Sequence, residues 1–158
     1  MELLQSEQYY DRNLTIFDQL KRVIINAIPF ARVEHIGASA IPGAVSKGDL
    51  DIFVGVPKNK HEECLEKIIS LGFKIKEDTL RTDSLCMLIS DEYACDTAIQ
   101  LVVNGSEFEF FLTFRNKLMR NESLLLEYNR IKQQYQSSSE EEYRKAKSTF
   151  INDVLALS

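Results

Sequence analysis

The stretch Glu34-His35-Ile36-Gly37-Ala38-Ser39-Ala40-Ile41-Pro42-Gly43-Ala44-Val45-Ser46-Lys47-Gly48-Asp49-Leu50-Asp51-Ile52 decides the reading of this chain. It opens in a short alternating run, Arg32 to Ile36, that suits a strand. Three of the chain's six glycines follow between positions 37 and 48. The segment leaves on Leu50, Ile52 and Val54 alternating with Asp49, Asp51 and Phe53, so a strand here sets aliphatic groups on one face and both carboxylates on the other. Carboxylates at i and i+2 of a strand stand roughly 6 to 7 Å apart at the Cα atoms. Magnesium is commonly held by one or two such carboxylates together with substrate phosphates. Asp49 and Asp51 therefore supply half of a metal site. Gly37 lets backbone N–H groups approach an anion, Ser39 adds a hydroxyl, and Lys47 adds a cation beside the pair. The set fits a nucleotide triphosphate with Mg²⁺. The bland alternative is a Gly/Pro/Ser loop followed by an ordinary strand end.

On the N-terminal side, Tyr10, Leu14, Phe17, Leu20, Ile24 and Ala27 recur at helical spacing, which predicts a helix from about Ser6 to Ala27 ending before Pro29. On the C-terminal side, Pro57 closes the acidic strand. Cys64, Leu65, Ile68, Ile69 and Leu71 then predict a helix from His61 to Leu71, stopped at Gly72. His61, among Lys58, Lys60, Glu62 and Glu63, reads as a solvated cap. Phe73 to Lys76, Leu85 to Ile89 and Thr97 to Val103 are strand candidates. Beyond Gly105-Ser106 the apolar spacing is helical, with a final helix opened by Ser139 and Glu142 as a capping box. Phe108, Phe110, Phe111 and Phe114 have the spacing of a core helix face rather than of a base-stacking platform.

The expected fold is α+β: one domain over 1–158, with a mixed sheet of four to five strands in a core of about 7–104. That core includes the N-terminal helix, and appended C-terminal helices occupy about 105–158. A net charge of −5 argues against general nucleic-acid binding, which needs clustered Lys and Arg. Three cysteines without a Cys-x-x-Cys pair predict reduced, packed thiols. No signal-like or membrane-spanning run is seen, so the expected compartment is the cytoplasm.

The same segment, from Glu34 to Ile52, resembles the glycine loop and acidic strand of the GrpB family, a branch of the nucleotidyltransferase superfamily. Ile99-Gln100-Leu101-Val102-Val103 is similar to a later strand of that family, and Phe114-Arg115-Asn116-Lys117-Leu118 to its Phe-Arg-Asp-x-Leu helix. Tyr128-Asn129-Arg130-Ile131-Lys132 and the run from Tyr143 to Ile151 resemble its C-terminal signatures. The likeness spans roughly residues 7 to 155. It implies a nucleotidyltransferase-like fold, Mg²⁺ on Asp49 and Asp51, and an unnamed acceptor. It also implies phosphate or base contacts from the C-terminal helices, with Lys132, Arg144 and Lys147 as candidates and one anion bridging Arg144 and Lys147. His35, beside the loop, is a further candidate for phosphate or substrate contact. Two departures stand out. Gly37-Ala38 replaces the superfamily's Gly-Ser pair, and Gln100 stands on the strand that carries a third carboxylate in polymerase-like members. Asp96 is the best substitute, with Asp83, Asp91 and Glu109 behind it. The incomplete acidic set keeps open a non-catalytic module that binds a nucleotide or another phosphorylated ligand.

Overall fold

The computed structural model describes residues 1–157. A long helix α1 (Ser6–Ala27) leads into strand β1 (Arg32–Ile36), and the glycine loop carries the chain to β2 (Leu50–Val56). Helix α2 (His61–Ser70) follows, then β3 (Lys74–Ile75), β4 (Leu85–Ser90) and β5 (Thr97–Val103). Three helices close the chain: α3 (Phe110–Met119), α4 (Glu122–Tyr135) and α5 (Glu140–Leu155). The strands form one sheet in the order β1-β2-β5-β4-β3, parallel only between β2 and β5. The expected mixed sheet thus has five strands, and the fold is α+β.

Alternation in β2 and β5 separates two faces of the sheet. Leu50, Ile52 and Val54 join Ile99, Leu101 and Leu88 on the face that packs against α1 and α2. Ile16, Phe17, Leu20 and Ile24 come from α1, while Cys64, Leu65 and Ile68 come from α2. Each such large side chain contributes about 1.5–3 kcal/mol by leaving water. On the opposite face, Phe53, Leu85 and Val102 are covered by Phe108 and Leu112. Asp51 lies on this second face, beyond the reach of that cover. A third cluster joins α3, α4 and α5 to the glycine loop: Phe114, Leu118, Tyr128, Phe150 and Val154 pack with Ile41 and Ala44. The C-terminal helices are therefore seated on the loop that carries the acidic pair.

Details of the sequence reading change: on α1, Leu14 is exposed, and Tyr9 and Ile16 are buried where the spacing had placed Tyr10 and Leu14. His61 is buried, and its Nε2 donates to the Leu101 carbonyl at 3.1 Å, so it ties α2 to β5 instead of capping a helix in solvent. Of the capping box at α5, the Ser139 half is present, its hydroxyl accepting from the Glu142 N–H at 3.1 Å.

Candidate active site

The loop between β1 and β2 is gripped from both sides. From α1, the Tyr9 hydroxyl donates to the Ala44 carbonyl (2.6 Å), and Arg12 and Asn13 donate to the Gly48 carbonyl (2.9 and 3.1 Å). From α4, Asn129 accepts from the Val45 N–H and donates to the Gly43 carbonyl, each at 2.9 Å. Lys132, one turn further on, is buried; its ammonium donates to the Val45 carbonyl and stands 4.0 Å from the centre of the Tyr128 ring. The loop ends are thereby fixed, and Asp49 and Asp51 with them.

Asp49 sits just ahead of β2 and Asp51 within it, opposite Ala98 of β5. Gly37 adopts φ +76°, and a Cβ there would lie 2.5 Å from the Asp51 Oδ2, so only glycine admits the carboxylate at this place. Burial first, and repulsion from Asp49 second, push the Asp51 carboxyl up to about 6, against attraction from Lys147 and Lys47. Lys47 is half-exposed and pairs with Asp49 at 3.6 Å.

Two hollows meet at Lys47, Asp49 and Asp51. The first, of about 280 Å³, runs beneath the C-terminal helices. Its wall includes Gly37, Gln100, Phe110, Phe111, Tyr128, Lys132, Tyr143 and Lys147. Burial lowers the Lys132 ammonium to about 7, with Lys147 adding repulsion. Burial likewise lowers Lys147, with Lys47 adding to the effect and Asp51 opposing it. The second hollow, of about 650 Å³, lies over the open part of the sheet and includes Lys74, Lys76, Asp91, Glu92, Asp96 and Arg144.

Gly37, Lys47, Lys132 and Lys147 thus surround the acidic pair in the first hollow. Ser39 and His35 do not reach it. The Ser39 hydroxyl is buried and engaged with His35 Nε2 at 3.2 Å, while the His35 ring stacks on Phe17 at 5.1 Å. Burial, then the positive charge of Arg115, lowers His35 to about 4, so the ring is neutral and structural. Arg144 and Lys147 bound different hollows, and Arg144 pairs with Glu140 at 2.5 Å; the single bridging anion expected from their spacing has no common pocket. Phe108 and Phe114 are core, as their spacing suggested, whereas Phe110 and Phe111 face the first hollow. Gln100 lies in the row of Phe53, one step beyond Asp51. Among the described residues, no group of three or more His, Cys, Asp or Glu side chains is placed to hold a metal. Asp96 is in the second hollow, its carbonyl accepting from the Leu50 N–H at 2.9 Å.

The family model for GrpB protein matches residues 6–157. The chain belongs to the GrpB family. A UPF0157 protein of Vibrio cholerae serotype O1 is 45% identical over 98% of this chain and 82% of that protein. A UPF0157 protein of Deinococcus radiodurans is 27% identical over 88% of this chain and 73% of its own. The crystal structure of GrpB from Enterococcus faecalis superposes with a TM-score of 0.77 at 21% identity, covering 97% of this chain and 94% of that one. The Cid1 poly(U) polymerase bound to MgGTP superposes with a TM-score of 0.50 at 14% identity, over 83% of this chain but 45% of the polymerase. The GrpB fold here is nucleotidyltransferase-like. The helical grip on its loop, from Tyr9, Arg12 and Asn13, was not found from sequence because polar residues on an amphipathic helix look like its solvated face. Asn13 gave the one available signal, since it stands in line with Tyr9, Phe17 and Leu20.

Proposed function

We propose that this protein binds a nucleoside triphosphate with Mg²⁺ between the acidic pair and the C-terminal helices, and transfers its nucleotidyl group to an acceptor. The observation that carries the reading is the convergence of Asp49 and Asp51 with Lys132 and Lys147 in one hollow. Two carboxylates of all-oxygen chemistry, backed by a glycine that a Cβ would obstruct, suit magnesium shared with phosphates. Bound there, the metal would neutralise charge on Asp49, Asp51 and the phosphate oxygens. No carboxylate pairs with Lys132, so an anionic ligand would offset the cost of burying its ammonium. Phe110, Phe111 and Tyr143 offer apolar surface for a base.

In the transfer, the acceptor oxygen forms a bond to the α-phosphorus. The bond from that phosphorus to the α–β bridging oxygen breaks, and pyrophosphate departs with its electron pair. The hydroxyl proton passes to Asp96, the carboxylate that adjoins β5 in the second hollow. Lys132 and Lys147 hold the leaving phosphates from the helical side.

Gln100 and the two-carboxylate set favour a second reading, a module that binds the nucleotide without turning it over. Calorimetric titration with non-hydrolysable triphosphates and Mg²⁺ tests the shared part: binding is expected in the wild type and lost in Asp51→Asn, and equal binding by both would sink it. Pyrophosphate release from triphosphate plus a metabolite extract then separates transferase from module.

A further inference from the structure

The second hollow is floored by rows of residues on one face of the sheet. The strand registers align Asp51 with Ala98, Ile89 and Lys74, and Gln100 with Met87 and Lys76. Ala98 is small and Ile89 is 37% exposed, so the floor between Asp51 and Lys74 is low and apolar. Adjacent strands lie about 4.7–4.9 Å apart, which puts the Lys74 backbone roughly 14–15 Å from that of Asp51. Among the described residues neither Lys74 nor Lys76 makes an ion pair. Of the carboxylates of this hollow, Asp96 lies at the dyad end beside Leu50, whereas Glu92 reaches towards Gly72 at the head of β3.

The hollow therefore offers Asp96 beside the reacting centre, an aliphatic shelf of Met87 and Ile89, and at the far edge two ammonium groups without an ion pair, with Glu92 on the same side. We infer that this shelf is the acceptor subsite and takes a small phosphorylated sugar or polyol, with its phosphate on Lys74 and Lys76 and a hydroxyl directed at Asp51. The lysine stems shorten the gap to the length of such a molecule. Recognition of a polymer is disfavoured because Lys47 and Arg144, the hollow's other cations, are paired with Asp49 and Glu140, and strand binding needs a continuing basic track. The assignment as acceptor rests on the nucleotidyl-transfer reading; the phosphate site itself does not.

Met87 supplies a resident probe. The chain has three methionines, and Met119 is exposed on α3, away from the hollow. With ¹³C-methyl methionine labelling, millimolar ribose 5-phosphate should shift the Met87 methyl saturably and leave Met119 unmoved, while ribose should not shift it. Lys74→Ala/Lys76→Ala, at exposed and half-exposed positions, should keep the melting temperature and weaken the effect at least tenfold. The inference is overturned if ribose 5-phosphate leaves Met87 unchanged, if ribose acts equally, if the double variant binds as well, or if only a diamine such as putrescine shifts the signal. Titrating Mg²⁺ with a non-hydrolysable triphosphate in the same sample keeps the two readings apart. A Met87 response without nucleotide binding upholds the phosphate site and removes the transferase role.

Discussion

The Cα of Gly37 lies so close to the Asp51 carboxylate that an added Cβ would stand 2.5 Å from Oδ2. Such an approach requires a residue without a side chain, and the positive φ of 76° requires the same residue for a second reason. Gly37→Ala must push Asp51 or the loop aside. It should destabilise the fold by at least about 1–2 kcal/mol from backbone strain alone and weaken Mg²⁺–triphosphate binding more than tenfold. Thermal melting and calorimetry check the two effects separately; unchanged binding would mean that Asp51 is not held in place by the loop.

Asp51 and His35 pull the pH dependence of stability in opposite directions. The Asp51 value, raised to about 6 from 3.8, means that the folded chain holds more protons than the unfolded one between those limits. This group therefore costs stability increasingly as pH rises through that window, reaching up to about 3 kcal/mol above it. His35, lowered to about 4 from 6.5, does the reverse: its neutral ring is protonated more readily when unfolded, so stability falls as pH drops through 6.5 towards 4. Asp51→Asn should raise the melting temperature by several degrees at pH 7 and leave it nearly unchanged near pH 3.5. Between pH 6.5 and 4, the variant should lose stability more steeply than the wild type. Parallel melting curves across pH would contradict the Asp51 assignment.

Asn129 joins the helical part to the loop through a reciprocal amide clamp, Val45 N–H to its oxygen and its nitrogen to the Gly43 carbonyl. Asn129→Ala removes both bonds and leaves the Val45 N–H without that partner. A loss of about 1–3 kcal/mol is expected, together with weaker nucleotide binding, since Lys47 and Asp49 follow directly on the released segment. Asn129→Asp can still accept from Val45 but cannot donate to Gly43, and should recover part of the stability. Equilibrium denaturation of the three proteins checks the order.

The fold was legible where periodicity was strong. Leu50-Ile52-Val54 opposite Asp51 and Phe53 marked β2 and its two faces, and Gly37 marked the loop. What the sequence did not disclose was the direction of individual side chains. Ser39 looked like a free donor, yet its hydroxyl is spent on His35. His61 sat among charged neighbours and is nevertheless drawn inward by a β5 carbonyl. Arg144 and Lys147 are one turn apart, but the acidic pair divides the space they face. Each outcome depends on what a distant element presents, which local spacing does not encode.

Lys132 gives the sharpest separation of structure from function. Its ammonium is buried against the Val45 carbonyl and the Tyr128 ring with no carboxylate partner, and burial lowers it to about 7. A lowered lysine value penalises the folded state at low pH, and the penalty is relieved as pH rises from about 7 towards 10.5. Lys132→Met keeps the stem and removes both the charge and the bond to Val45. At pH 6 its stability should match or exceed that of the wild type, because loss of the desolvation cost offsets the lost hydrogen bond. Triphosphate affinity should fall about tenfold or more at the same pH, as a cation facing the phosphates is gone. Wild-type affinity should itself decline between pH 6 and 8.5 as Lys132 loses its proton, and the variant should show less of that decline. Calorimetry at the two pH values decides the matter: if the variant binds triphosphate as tightly as the wild type at pH 6, Lys132 serves only to hold the loop.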